Sequence, residues 1–77
     1  MIDAAQMKAG RALIGMDQKE LAEKSGVSLP TIQRMEKLGT ARSNAGNVAS
    51  VQRALESAGV VFIPENGGGA GVRLKKE

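Results

Sequence analysis

Two adjacent polar residues, Gln33 and Arg34, lie in a segment with the spacing of a short amphipathic helix, residues 29–37. Ile32 and Met35 give this segment an inward apolar face, so Gln33 and Arg34 are expected to project outward. Arginine can make a bidentate contact with guanine, and glutamine can do so with adenine. Arg34 is therefore the first candidate for a base contact, with a phosphate contact or a free surface charge as its alternative.

A second group of polar residues lies at the end of this segment and in the loop that follows it. The candidates for phosphate contacts, which hold register without reading sequence, are Lys37, Thr40, Arg42, Ser43 and Asn44. A solvated loop is the alternative for each of them. The formal net charge of +3 and the pI near 9.7 favour an anionic partner only weakly, since many small domains share them.

Two short helices joined by a tight turn would position these side chains, and residues 17–36, DQKELAEKSGVSLPTIQRME, have that pattern. Asp17 can cap the first helix, and Glu20 is spaced to complete a capping box. Gly26 stands where that helix would end, because a left-handed residue is favoured there. Ala22 is small enough to allow a close crossing, and Val27 follows as a buried plug for the turn.

The start of the second helix has more than one interpretation. Ser28 or Leu29 could open it, and Pro30 is tolerated in its first turn, where no backbone N–H is needed. Helical geometry is disfavoured for the residue that precedes a proline, here Leu29, so the helix could instead begin at Pro30.

The pattern resembles the Cro and phage-repressor type of helix-turn-helix, the XRE family, over roughly residues 3–58. The matching residues are Gln18, Leu21, Ala22, Gly26, Val27, Ser28, Thr31, Ile32 and Glu36, with residues 11–15 upstream. The resemblance implies a mostly α, compact, lambda-repressor-like domain of four helices. It also implies a sequence-specific DNA-binding transcriptional regulator, a repressor that binds an inverted-repeat operator as a homodimer.

The resemblance also implies roles for single residues. In relatives the second helix of the pair is the recognition helix, and its start meets base edges. The resemblance therefore assigns base contacts to Leu29, Pro30 and Thr31 and a phosphate contact to Ser28. Leu29 and Pro30 could contact a thymine methyl group, although Leu29 could instead pack on the core. Gln18 corresponds to a glutamine that bridges the DNA backbone and the start of the recognition helix, with a solvated helix-start residue as the alternative.

One further pair of residues follows from the resemblance. Arg11 and Glu36 match an arginine of the first helix and a glutamate after the recognition helix that pair in relatives. We expect this pair to be structural, a partly buried ion pair that fixes the third helix against the first.

The whole chain divides into helices and a tail. Helices are predicted over residues 3–14, 17–25, 29–37 and from 44 or 47 to 58, with a loop over 38–43 and Gly59 as the stop signal. The predicted division is a DNA-binding domain over 1–59 and a tail over 60–77. Two short apolar runs around the Gly-rich turn of residues 65–71 indicate a short C-terminal β-hairpin.

An isolated hairpin of this size is marginal in water, so it must pack on the helices or pair with another chain. Because both edges would be free, pairing across a homodimer is the preferred hypothesis. A hairpin folded onto its own subunit is the alternative. The residues assigned to dimerisation are Val60, Val61, Phe62, Ile63, Val72 and Leu74.

Composition excludes several function classes. The chain has no cysteine and no histidine, which argues against common metal sites, disulfides and His-based catalysis, so we expect no enzyme, cofactor or metal. No apolar run approaches a membrane span and no signal peptide opens the chain, so a cytoplasmic protein is expected. A module that acts through a protein partner, such as an antitoxin or antiactivator, is the alternative to an operator-binding regulator.

Overall fold

A computed structural model describes residues 1–76. Its elements are α1 (Ala4–Ile14), α2 (Gln18–Ser25), α3 (Leu29–Leu38), α4 (Ala45–Ser57), β1 (Val60–Ile63) and β2 (Gly71–Leu74). The two strands pair as one antiparallel hairpin. The predicted fold, a mostly α four-helix domain with a short C-terminal hairpin, is confirmed. None of the described helices is long and apolar enough to cross a membrane.

Side-chain caps set where α1 and α2 begin. The carboxylate of Asp17 accepts from the backbone N–H of Glu20 at 2.7 Å, as the sequence predicts. The full capping box forms in α1 rather than in α2. There Asp3 accepts from the N–H of Gln6 at 2.8 Å, and the Gln6 side chain accepts in return from the N–H of Asp3 at 2.9 Å. The Glu20 part of the prediction is therefore wrong.

The turn between α2 and α3 has the predicted geometry. Gly26 has a φ of +73°, a left-handed conformation in which a β-carbon would be strained. Val27 is 6% exposed and belongs to the core. Ser28 caps α3 from an extended conformation, so the helix begins at Leu29 with Pro30 in its first turn. The cap at Ser28 therefore places the start of α3 at Leu29 rather than at Pro30.

The third and fourth helices differ slightly from their predicted bounds. α3 includes Leu38, which the sequence places in the following loop. α4 begins at Ala45, because the side chain of Asn44 accepts from the N–H of Asn47 at 3.1 Å and so caps the helix. The flexible Gly46 therefore lies inside the first turn of α4 and does not delay its start.

The core is aliphatic and draws on every helix and on the first strand. Its buried apolar residues are Ile2, Met7, Met16, Leu21, Val27, Ile32, Met35, Val48, Val51, Leu55 and Val60. The small Ala22 of α2 packs against this cluster from a half-buried position. The hydrophobic effect therefore holds the helix pair α2–α3 on a base made by α1 and α4.

The hairpin folds onto its own subunit. Val60 is 2% exposed within the core, and Phe62 and Val72 pack against the core. The side-chain amide of Gln6 donates to the carbonyl oxygens of Ile63, at 3.2 Å, and Gly71, at 3.1 Å. The interpretation left as the alternative, a hairpin on its own helices, is the one the structure shows.

This packing corrects part of the dimerisation prediction. Val60 is buried inside the subunit, so its side chain is not available as the contact with a second copy, whereas Phe62 and Val72 pack against the core from half-buried positions. Val61 and Ile63 are half-buried, and Leu74 is 52% exposed. The predicted tail segment, residues 60–77, is described through residue 76, and its last residue lies outside the described residues.

Gly10 allows α1 to approach the hairpin closely. A β-carbon built on Gly10 would lie 3.3 Å from Cγ1 of Val60 and 3.6 Å from the ring of Phe62. These spacings leave little room for any larger residue at this position. The absence of a side chain at Gly10 therefore fixes how near the hairpin lies to α1.

Candidate nucleic-acid interface

Helix α3 has one buried face and one exposed face. Ile32 and Met35 are fully buried against the core. Gln33, Arg34 and Lys37 are exposed, so the sequence periodicity places these side chains correctly. The exposed face carries two cations and an amide, which suits an anionic surface with hydrogen-bonding edges.

The start of α3 presents hydroxyl and apolar groups. The hydroxyl of Ser28 donates to Oγ1 of Thr31 at 2.8 Å and accepts from the Thr31 N–H at 3.4 Å. The Thr31 hydroxyl accepts that bond and keeps its own proton for an external acceptor. Pro30 is exposed, and Leu29 is half-buried but is not one of the apolar residues that pack on the core. This geometry leaves Leu29 accessible to a partner.

A groove of about 300 Å³ runs between the exposed face of α3 and the start of α4. Its lining residues are Thr31, Arg34, Leu38, Gly39, Arg42, Ser43, Asn44 and Asn47. Among the described residues, 1–76, no carboxylate lines the groove, and two arginines do. The groove therefore brings together two of the predicted base contacts, Thr31 and Arg34, with three of the predicted phosphate contacts, Arg42, Ser43 and Asn44. The lining does not include the other candidates, which are Gln18, Ser28, Leu29, Pro30, Gln33 and Lys37.

Thr40 does not take part in this surface. Its side chain is buried, with 4% of the residue exposed, and its hydroxyl donates to the carbonyl oxygen of Ile2 at 2.7 Å. The predicted phosphate contact of the Thr40 side chain is therefore wrong. The bond joins the loop after α3 to the N-terminus of the chain. It therefore restrains the loop that carries Arg42 and Ser43.

The ion pair between α1 and α3 is formed with two short contacts. Arg11 donates from Nε to one carboxylate oxygen of Glu36 and from a terminal nitrogen to the other, both at 2.6 Å. Arg11 also donates to the carbonyl oxygen of Met16 at 3.1 Å. The Glu36 side chain is 5% exposed, so the bidentate pair closes off almost all of its carboxylate. The pair fixes the orientation of the end of α3.

The electrostatics of this pair keep both groups charged. Burial alone would raise the pKa of Glu36, but the hydrogen bonds from Arg11 and Gln18 and the charge of Lys8 outweigh it, so the pKa lies below its ordinary value. The hydrogen bond to Glu36 is the main cause that raises the pKa of Arg11 above its ordinary value. The pair therefore remains ionised throughout the neutral range.

The sequence model of the helix-turn-helix family, in its Cro-like or XRE form, matches residues 7–56. The chain belongs to the XRE family. The matched segment covers most of α1 through almost all of α4, so it includes α3, the loop and the ion pair. A search of curated proteins returns no match to the chain.

Membership of the XRE family makes the protein a DNA-binding helix-turn-helix regulator in general terms. In this family α3 corresponds to the recognition helix, whose exposed residues can enter a major groove.

Gln18 differs from its expected arrangement within the family. Its amide donates to Oε1 of Glu36 at 3.0 Å, so it bridges the start of α2 to the last turns of α3 rather than to the start of α3. The part of the prediction that tied Gln18 to the start of the recognition helix is corrected. Its half-buried position still leaves it at the N-terminus of α2, where free N–H groups favour phosphate.

Three residues that line the groove, Leu38, Gly39 and Asn47, were not predicted as site residues from the sequence. Leu38 lines the groove because α3 extends one residue further than its periodicity indicates. Asn47 lines it from the first turn of α4, three residues after the cap Asn44. The spacing of Leu38, four residues after Arg34, is the signal that would have placed it on the same face.

Proposed function

We propose that the protein is a sequence-specific transcriptional repressor that binds an inverted-repeat operator as a homodimer. The observation that carries this proposal is the exposed face of α3, where Gln33 and Arg34 stand opposite the fully buried Ile32 and Met35. Arginine and glutamine are the side chains that read guanine and adenine by paired hydrogen bonds. This role would place the protein with the nucleoid, in the cytoplasm of a bacterium or a phage-infected cell.

The roles of the remaining residues in the proposal follow from their positions. Leu29, Pro30 and Thr31 lie at the end of α3 that would approach base edges, and the methyl groups of Leu29 and Thr31 suit a thymine methyl. Contacts to phosphate are proposed for six residues, which are Gln18, Ser28, Lys37, Arg42, Ser43 and Asn44. The side-chain oxygen of Asn44 serves as the helix cap, so its side-chain NH2 group is the donor proposed for a phosphate acceptor.

Replacing Arg34 with alanine tests the proposed base contact. A bidentate contact to guanine should be lost, so Arg34→Ala should weaken binding to a selected operator by about 1 to 3 kcal/mol and relax the preference at one base pair. The control is Arg53→Ala, because Arg53 is an exposed arginine of α4 outside the groove. Fluorescence anisotropy with the operator and with all single-base variants measures both effects.

The alternative roles of Arg34 give different results in the same assay. A phosphate contact would weaken binding to all duplexes equally and reduce the slope of log K against log salt by about one. A free surface charge would make Arg34→Ala behave like Arg53→Ala. Equal behaviour of these two variants would contradict the proposal that α3 reads DNA through Arg34.

The homodimer is proposed to form through the outer surface and open edges of the hairpin. A two-stranded sheet leaves one edge of each strand unpaired, and such edges can pair with another chain. Val61 and Ile63 lie opposite Arg73 and Gly71 in the register, on the side away from the core residues Val60 and Phe62. Leu74 lies opposite Val60 in the register, so it is on the other face, but it is 52% exposed at the end of β2. Val61, Ile63 and Leu74 remain as the candidate dimer contacts.

Single charges on the hairpin test this contact better than truncation does. A chain that ends at Gly59 also loses the core residue Val60, so a loss of the dimer could not be distinguished from a loss of folding. Val61→Lys and Leu74→Lys should instead convert a folded dimer to a folded monomer in sedimentation equilibrium. Leu13→Lys, at an exposed leucine of α1, is the control. Variants that stay dimeric would show that the dimer uses another surface.

A further inference from the structure

Leu38 is an exposed apolar residue on the surface that would face DNA. It is the last residue of α3 and is 72% exposed. The other large apolar side chains exposed among the described residues are Met1, Leu13 and Leu74, which lie at the N-terminus, on α1 and on β2. Leu38 alone among these four lines the groove between α3 and α4.

The helical period places Leu38 in line with two polar residues of the same groove. Thr31, Arg34 and Leu38 are three and four residues apart, so they form one stripe along α3. At 1.5 Å per residue the stripe is about 10 Å long. It carries a hydroxyl at the start of the helix, a cation in the middle and an apolar group at the end.

The opposite wall of the groove is polar and cationic. Arg42, Ser43, Asn44 and Asn47 form it, and no acidic side chain within the part of the chain that the structure describes lines either wall. Arg34 and Arg42 therefore flank Leu38 with positive charge. A nucleic-acid strand is the occupant that matches this pattern, because it offers anionic phosphates separated by sugars whose carbon faces are apolar.

We propose that this groove seats one strand of the DNA backbone, with Leu38 packed against a deoxyribose and Arg42 on an adjacent phosphate. This inference rests on the proposed function and adds to it a contact that strengthens binding without reading sequence. Packing against a sugar removes apolar surface of Leu38 from water, which is favourable in proportion to the area buried. Arg34 lies in the same stripe, nearer the start of α3, and extends toward the bases.

Leu38→Ala tests the proposal, because an exposed side chain can be shortened without affecting folding. We expect roughly three- to tenfold weaker binding to the selected operator and to a random duplex, with an unchanged melting temperature and an unchanged salt slope. Arg42→Ala should instead reduce the salt slope by about one. The matched control is Leu13→Ala, at an exposed leucine outside the groove, which should bind as the wild type does.

A thymine-to-uracil scan of the operator distinguishes a sugar contact from a base contact. If Leu38 packs on deoxyribose, the effect of Leu38→Ala is the same on every uracil-substituted duplex. If the effect disappears when one thymine is replaced by uracil, Leu38 contacts a methyl group and the inference is overturned.

The failure of this inference can be separated from the failure of the proposed function. Leu38→Ala that binds as tightly as Leu13→Ala, beside a wild type that binds its operator, would overturn the role of Leu38 alone. Wild-type protein that binds neither duplex would overturn the operator-binding function and, with it, the proposed contact.

Discussion

At the residue scale, the carboxylate of Glu36 joins three helices. It accepts from Arg11 of α1 and from Gln18 of α2 while it stands in α3. A buried carboxylate is costly unless it is paired and hydrogen-bonded, and here four lone-pair sites receive three charge-assisted or amide bonds. The recognition helix is therefore held to both helices that support it by one group.

Removal of Arg11 should lower stability as well as DNA affinity. Arg11→Ala leaves the Glu36 carboxylate buried with the Gln18 amide as its remaining partner, so we expect the free energy of unfolding to fall by about 3 to 5 kcal/mol. Urea denaturation measures this change. Arg53→Ala, at an exposed arginine, is the control and should change it little. Lost DNA affinity with unchanged melting in Arg11→Ala would contradict a structural role for the pair.

Stability should also depend on the protonation of Glu36. Its folded-state pKa lies below the ordinary value of 4.5, so its contribution is fully present above that value and is lost as pH falls through the folded pKa. Unfolding free energies measured from about pH 6 to about pH 3 should fall more steeply for the wild type than for Glu36→Gln. Equal pH dependence in the two proteins would show that Glu36 does not titrate differently on folding.

Two polar residues, Gln18 and Thr40, have contacts that could not be predicted from the sequence. The pairing of Arg11 with Glu36 could be predicted from the resemblance to relatives. Gln18, which also bonds Glu36, was instead predicted to bridge the DNA backbone and the start of the recognition helix. Thr40 was misplaced because its burial depends on the carbonyl of Ile2, which lies 38 residues away. A polar loop residue carries no local signal of such a long-range bond.

At the element scale, helix starts and stops could largely be predicted because they depend on local chemistry. Asp17 caps α2, and Gly26 ends it in a left-handed conformation, as their residue types indicate. The position of the hairpin could not be predicted in the same way. It depends on long-range contacts, which are the packing of Val60 in the core and the bonds that the Gln6 amide donates to the backbone of both strands across 57 and 65 residues of sequence.

Gln6 couples the start of α1 to the hairpin, and its loss should free the strands. Gln6→Leu removes two bonds to the hairpin and one to the cap, so we expect a loss of about 1 to 3 kcal/mol of stability. Hydrogen exchange at the amides of β1 and β2 should accelerate more than exchange in α3. Gln52→Leu is the control, since Gln52 bonds only the exposed Glu56. Equal protection of the strands in Gln6→Leu would show that apolar packing alone holds the hairpin.

At the scale of the whole molecule, the fold separates two surfaces. The groove and the exposed residues of α3 form one surface, whereas the hairpin packs on α1 and α4, and none of its residues lines that groove. A dimer that joins two hairpins would leave both copies of α3 free. Two recognition helices set roughly 34 Å apart would then reach successive major grooves on one face of a duplex.

Salt dependence distinguishes this account from the alternative of a module that acts on a protein partner. A DNA binder releases counterions from phosphates, so log K should fall linearly with log salt, with a slope set by the number of phosphates neutralised. A partner held by apolar contacts would not show that slope. The net charge alone does not decide between them, whereas the lack of carboxylates among the described residues that line the groove favours the phosphate partner.

The most direct test of the central claim, that α3 reads operator DNA in a dimer, is selection of bound sequences from random duplex DNA at near-physiological salt with the wild-type protein. The account predicts an enriched inverted repeat whose half-sites are centred about one helical turn apart, or a multiple of it. Binding without enrichment, or no binding, would contradict it and would make the helix-turn-helix a scaffold for a protein partner.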